Sequence, residues 1–198
     1  MTALILASAS ASRNTMLSDA GIDFFADPAD LDEASFRDNH LRQGKSPTDL
    51  AVSLAIEKAR SVCQRHAGKF VLGSDQILIF GDELISKVPD REHARELLWR
   101  LRGQRHQLIS AAAFVRDGVV IWSAFETADM YVRSFSEGFL ESYLDHAGEG
   151  ILGSVGCYHL EGLGAQLFDR IEGDFFTVLG LPLIKVLGAL REHGVCAS

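Results

Sequence analysis

ALILASASASRNTMLSDAG, residues 3–21, opens the reading of the fold. Ala3 to Ala7 is short, apolar and followed at once by serines, which reads as a fully buried strand. Arg13 to Ala20 then reads as a helix, with Gly21 placed just past its end. A second short strand follows over Ile22 to Phe25. Strand, turn, helix and strand in this order begin an α/β chain.

The rest of the chain continues that alternation. Asp27 to Lys45 is polar, acidic and irregular, and reads as a loop. Ser46-Pro47-Thr48-Asp49 starts a helix, with serine as cap, proline at the first helical position and an acid in the first turn. It runs to about His66, burying Leu50, Leu54 and a row of alanines, and Gly68 ends it. Phe70 to Gly73 and Gln76 to Phe80 read as strand on either side of a break at Ser74-Asp75, before a turn at Gly81-Asp82-Glu83. Arg91 to Arg102 is a helix with Ala94, Leu97, Leu98 and Leu101 on one face. His106–Val115 and Val119–Val132 flank Arg116-Asp117-Gly118, an Asp-Gly hairpin signal. Ser136 to His146 is helical, a glycine-rich stretch follows over Gly148 to Gly164, and residues 165–171 can pair as a strand. Pro182 opens a last helix that ends near Gly194. The pattern predicts an α/β fold with a mixed sheet and flanking helices.

The 198 residues are 47% hydrophobic and 23% charged. That supports one substantial core or two small lobes sharing a sheet, and not two large domains. Lys and Arg number 19 against 27 Asp and Glu, a formal net charge of −8. Long nucleic acid needs a basic footprint and is excluded as a partner. A small anionic ligand is not, since a few cations can converge in one place. Cys63, Cys157 and Cys196 lack metal-ligand spacing and read as reduced thiols. No HExxH or G-x-x-x-x-G-K-[ST] motif occurs. The apolar start is too short for a signal peptide or a membrane span, so a soluble, cytoplasmic protein is expected, with no membrane partner.

Four places could carry chemistry. Ser8-Ala9-Ser10-Ala11-Ser12-Arg13, between strand and helix, would offer backbone N–H groups, hydroxyls and a guanidinium to a phosphate; a plain serine cap with a surface arginine explains the same residues. Asp75, in VLGSDQILIF, needs solvent or a partner. It stands either where α/β proteins place ligands or in a turn bonded to its own backbone. Asp32-Glu33, Lys58 and Lys87 are the residue types that phosphoryl chemistry uses. They fit solvated helix and loop positions equally well, and spacing does not show that they meet. Gly153 to Gly164 permits close backbone approach to a ligand but lacks the context of a dinucleotide loop.

The order of these pieces carries a resemblance. LILASASASR (4–13), DE (32–33), EKA (57–59), LGSDQ (72–76), SKVP (86–89), LRGQRH (101–106) and GCYHLEGLGAQLFDRIEGDFFTVLGLPL (156–183) together resemble the Maf family of nucleotide pyrophosphatases, over almost the whole chain. The resemblance implies one two-lobed α/β domain over residues 1–198 with a deep central cleft, similar to inosine-triphosphate pyrophosphatases, and a homodimer. It implies hydrolysis of a nucleoside triphosphate to a monophosphate and pyrophosphate with Mg²⁺ or Mn²⁺. The family's general base falls on Asp75 and its other polar positions on Ser8, Ser10, Arg13, Glu33, Lys58 and Lys87; on this pattern Asp75 and Glu33 are expected to hold the metal, and Ser8, Ser10, Arg13, Lys58 and Lys87 the substrate. Three positions separate its branches, here Ser12, Gln76 and Glu161. The 7-methyl-GTP branch carries Trp, Gln and Glu there, and the dTTP and UTP branch Arg, Thr and Gln. This chain matches two of the first set, so 7-methyl-GTP is the expected substrate, with a dTTP/UTP enzyme or a non-catalytic nucleotide-binding regulator of septation as alternatives. Ala11, Asn14, Ser86 and Ser154 depart from the family pattern.

Overall fold

The computed structural model describes residues 4–197. In β1 (Leu4–Leu6) successive side chains point to opposite faces of the sheet, and both faces are buried. Leu4 and Leu6 join a core with Leu17, Leu72, Phe114, Leu181, Val186 and Leu190. Ile5 and Ala7 join another with Ala59, Val62, Val71 and Val115. The first core is covered by α1 (Ala11–Asp19) and, further along the chain, by Leu183–Glu192; the second is covered by residues of Pro47–Cys63. A strand buried on both faces this way reads as a continuous apolar run, which residues 4–7 are; Ala3, expected to begin it, lies outside the described residues.

The remaining elements are β2 (Phe24–Ala26), α2 (Glu33–Arg42), α3 (Pro47–Cys63), β3 (Phe70–Phe80), β4 (Glu83–Ile85), α4 (Arg91–Leu101), β5 (Arg105–Arg116), β6 (Val119–Val132), α5 (Glu137–Ala147), β7 (Phe168–Glu172), α6 (Phe175–Val178) and α7 (Leu183–Glu192). The strands form one mixed sheet in the order β2-β1-β3-β5-β6-β7, with β4 added to β3. β1 pairs in parallel with β2 and β3, while β4 and β7 pair antiparallel with β3 and β6. The α/β mixed-sheet expectation is met. The Asp117-Gly118 hairpin forms with φ of 48° and 80°, the positive values a tight two-residue turn requires.

The chain forms two compact units. The first comprises residues up to 76, 110–126 and 175 onward; the second comprises 77–109 and 127–174. Within the second, α4 and α5 are laced by Arg91 to Glu141 and Asp145, and by Arg95 to Glu141 at 2.6 Å. His106 is buried there, with Nε2 2.7 Å from the Tyr158 hydroxyl, and burial pulls its pKa down to about 4. It is a neutral structural histidine.

Two expectations are corrected. The stretch 27–45 is not all loop, because Glu33–Arg42 is helical. Asp32 caps it by accepting from the Ser35 amide at 3.0 Å, Glu33 stands in the first turn, and His40 and Arg42 in the last. The helix has little apolar surface, so it leaves no periodic signal. Nor does β3 break at Ser74-Asp75: it runs unbroken from Phe70 to Phe80, and both polar side chains are satisfied by tertiary partners.

Candidate active site

The alternation of β3 decides what meets what. Val71, Gly73 and Asp75 face α3, whereas Leu72, Ser74 and Gln76 face the side of α1 and α7. α3 lies so close that a Cβ on Gly73 would stand 2.0 Å from the Ala55 carbonyl oxygen and 2.8 Å from the Ala59 nitrogen. This contact brings Lys58 to Asp75. Leu50, Ala51, Leu54, Ala55, Lys58, Ala59 and Val62 form the buried stripe of α3, so the lysine occupies a core position.

Lys58 Nζ donates to Asp75 Oδ1 at 2.6 Å and pairs with Glu33 Oε1 at 2.8 Å. The Lys58 and Asp75 side chains are 11% and 7% exposed, that of Glu33 45%, so the first two form a buried pair that Glu33 closes from solvent. Breaking such a pair by deleting one partner leaves an uncompensated charge and costs about 3–5 kcal/mol. Burial pushes the Asp75 carboxyl above its ordinary pKa, Lys58 and Arg13 oppose that shift, and Glu33 adds to it. A carboxylate raised in this way is a better proton acceptor than one on the surface.

Arg13 comes from the first turn of α1. Its Nε donates to the Gly180 carbonyl at 2.8 Å and Nη1 to Ser8 Oγ at 3.3 Å. Burial lowers its pKa, while the charges of Asp75 and Glu33 raise it; an arginine stays cationic under such pressure. Ser8 is buried at the end of β1, and its Oγ also accepts from the Ser10 amide at 3.2 Å. Ser10 is the N-cap of α1 and accepts from the Arg13 amide. The serine-cap explanation therefore holds for Ser10, but Arg13 is no surface arginine. Ser12 lies half-buried in the same first turn.

The structure thus gathers Ser8, Ser10, Ser12, Arg13, Glu33, Lys58, Asp75 and Gln76 in the first unit. Lys87 and Glu161 belong to the second, Lys87 just after β4 and Glu161 in the glycine-rich stretch, and both are exposed. Four residues to which the sequence assigned no role at the site join the set. Gly73 admits α3, and a lone glycine inside a strand is the signal for such an approach. Ser74, Ser110 and Gly180 bind the segment around Asp75 to the Thr177–Gly180 turn. No spacing marks them.

Arg13 and Lys58 against Asp75 and Glu33 make a cluster of balanced formal charge. It has no surplus of positive charge for a polyphosphate. Among the described residues no group of three or more His, Cys, Asp or Glu side chains is arranged to hold a metal ion. Two carboxylates do fit a small divalent cation that takes one or two protein oxygens and completes its shell with substrate phosphates and water.

The family model described as Maf-like protein matches residues 3–193. A nucleoside triphosphate pyrophosphatase of Granulibacter bethesdensis is 46% identical over 190 residues, covering 96% of each chain. Nucleoside triphosphate pyrophosphatase 1 of Jannaschia sp. is 46% identical over 197 residues, all of both chains. A 7-methyl-GTP pyrophosphatase of Mesorhizobium japonicum is 47% identical over 191 residues, again 96% of each. Among solved structures, a HAM1 protein from Coxiella burnetii overlaps 67% of this chain and 73% of its own, at 17% identity and a TM-score of 0.41, too loosely to carry an argument.

Proposed function

Since this chain belongs to the Maf family, we propose that it hydrolyses a nucleoside triphosphate to the monophosphate and pyrophosphate, with Asp75 as general base. The observation that carries the reading is the buried Asp75–Lys58 pair closed by Glu33, within electrostatic reach of Arg13. Asp75 accepts a proton from the attacking water, a role that its raised pKa suits. Its loss of charge on accepting that proton frees Lys58 from one of its two carboxylates. The ammonium then turns to the negative charge that develops on the phosphates. Arg13, held by Gly180 and Ser8, adds a guanidinium of fixed orientation. Ser8 and Ser10 border the same end of β1. Asp75 and Glu33 would supply the protein oxygens to Mg²⁺ or Mn²⁺, which when bound lowers the pKa of water and offsets phosphate charge. Lys87 and Glu161, exposed in the second unit, are assigned to substrate on the family pattern alone.

The nucleotide we propose is 7-methyl-GTP. The Mesorhizobium relative supports it, as do Gln76 and Glu161, which match that branch at two of three separating positions. A glutamate can accept from guanine N1–H and the exocyclic amine together. Ser12 replaces the tryptophan that would stack on the cationic base, so 7-methyl-GTP should be preferred over UTP by less than in a chain that has it. Steady-state turnover of 7-methyl-GTP, GTP, dTTP and UTP in Mg²⁺ or Mn²⁺ tests this. The expected result is highest kcat/KM on 7-methyl-GTP, abolished by a chelator and restored by either metal. A preference for dTTP and UTP would transfer the chain to the other branch, and binding without turnover would make it a nucleotide-binding regulator. The reading includes a homodimer, which sedimentation measures.

A further inference from the structure

α2 lies on α3 by a single face. Glu33, Phe36, Arg37 and His40 recur at the spacing of helical turns, and every other residue of α2 is exposed. At the first turn Glu33 Oε1 pairs with Lys58 Nζ at 2.8 Å. The Glu33 side chain is 45% exposed, and an ion pair open to water on one side stabilises little by itself. Glu33 therefore stays on Lys58 only while the rest of the helix is held down.

Two turns further along, His40 is the one buried side chain of α2. Its ring stacks on Phe36, centroids 6.3 Å apart, and is hydrogen-bonded to the backbone of Ser46, the N-cap of α3. Its Nε2 is buried with no hydrogen-bond partner among the described residues, so that bond belongs to Nδ1. A second ring proton, on Nε2, would be buried without an acceptor. Lys45, between the two helices, also opposes a positive ring, while Asp49 in the first turn of α3 favours one. On its own helix Arg37 shares the face. Burial is the largest of these influences and brings the His40 pKa below its ordinary 6.5.

We propose that His40 is a positioning residue of the active site: by docking α2 on α3 it holds Glu33 on Lys58, two helical turns away. Loss of the ring, or its protonation, lets α2 lift and takes Glu33 from the site. An undocked imidazole binds a proton more readily than the docked one. Docking is therefore complete above the ordinary pKa of 6.5 and weakens as pH falls below it. The proposal rests on the pyrophosphatase reading for its rate measurement alone.

The first test needs neither metal nor nucleotide. Hydrogen exchange of the α2 amides in the whole chain compares the parent with His40→Ala and His40→Asn; asparagine keeps a donor where Nδ1 stands and has no nitrogen that titrates. In His40→Ala the protection of residues 36–42 should fall about tenfold or more while that of α3 keeps the parent value. From about pH 7.5 to about pH 5 the parent should lose α2 protection, after correction for the intrinsic exchange rate, and His40→Asn should keep it. In turnover, His40→Ala should raise the Mg²⁺ or Mn²⁺ concentration for half-maximal rate by about 10- to 100-fold, as when the support of a ligand is removed. Added to Glu33→Ala it should raise that concentration no further, since both changes remove the same carboxylate. Equal α2 protection in His40→Ala and the parent would overturn the proposal. So would the same pH dependence in the parent and His40→Asn, or a further rise in metal requirement in the double variant. Should His40→Ala fail to fold, the pH comparison with His40→Asn decides. If the parent turns over no nucleotide, the pyrophosphatase reading fails separately, and the exchange measurements decide the role of His40.

Discussion

Asp75→Asn lowers the turnover of nucleoside triphosphate by about 10²–10⁴-fold, the range that a positioned general base supplies. The amide keeps the shape of the carboxylate and an oxygen for the 2.6 Å bond from Lys58 Nζ. Lys58 also keeps Glu33 at 2.8 Å, so no buried cation is left without a counter-charge. Burial is the largest influence on the Asp75 carboxyl and acts against its charge, and the variant removes that charge. A stable fold with little turnover is therefore expected, checked by pyrophosphate release beside a thermal melt. A variant that turns over like the parent would show that another group takes the proton. A variant that fails to fold would show that the charge of Asp75 is structural.

Gly73→Ala is expected to damage both stability and turnover, although the added methyl carries no chemistry. Its Cβ would fall 2.0 Å from the Ala55 carbonyl oxygen and 2.8 Å from the Ala59 nitrogen, both backbone atoms of a helix that cannot swing aside. α3 must move off β3, and Lys58 sits one residue before Ala59. Overpacking of this kind costs about 3 kcal/mol or more, which lowers the Tm of a chain this size by roughly 6–12 °C. The displaced ammonium no longer reaches Asp75, so kcat falls in whatever fraction stays folded. Gly138→Ala on α5 is the control: a Cβ there meets nothing within 4 Å, and alanine is the better helix former. Parent-like melting and turnover for Gly73→Ala would refute the close approach of α3 to β3.

Much of this was legible in the linear sequence, for reasons that differ from place to place. LILA, residues 4–7, shows a doubly buried strand because both of its faces are apolar. Ser46 to Asp49 shows a helix start because the capping box is local, with Ser46 and Asp49 bonded to each other's backbone. What failed to show depends on partners far along the chain. Ser74 and Asp75 look like a strand break until Lys58, Ala111 and Gly180 are placed around them. α2 has polar faces and only one buried residue, His40, so periodicity misses it while the cap at Asp32 marks it. Lys58 carried an unread signal, since its place on the apolar stripe of α3 foretold a buried ammonium and hence a buried acid. The grip of Gly180 on Arg13, 167 residues apart, leaves no trace in spacing.

Product analysis of the unaltered protein tests the account most directly. Nucleoside triphosphate incubated with Mg²⁺ or Mn²⁺ should yield monophosphate and pyrophosphate in equal amounts, with no diphosphate intermediate. Orthophosphate with nucleoside diphosphate as the products would place the cut at the terminal phosphate and contradict it.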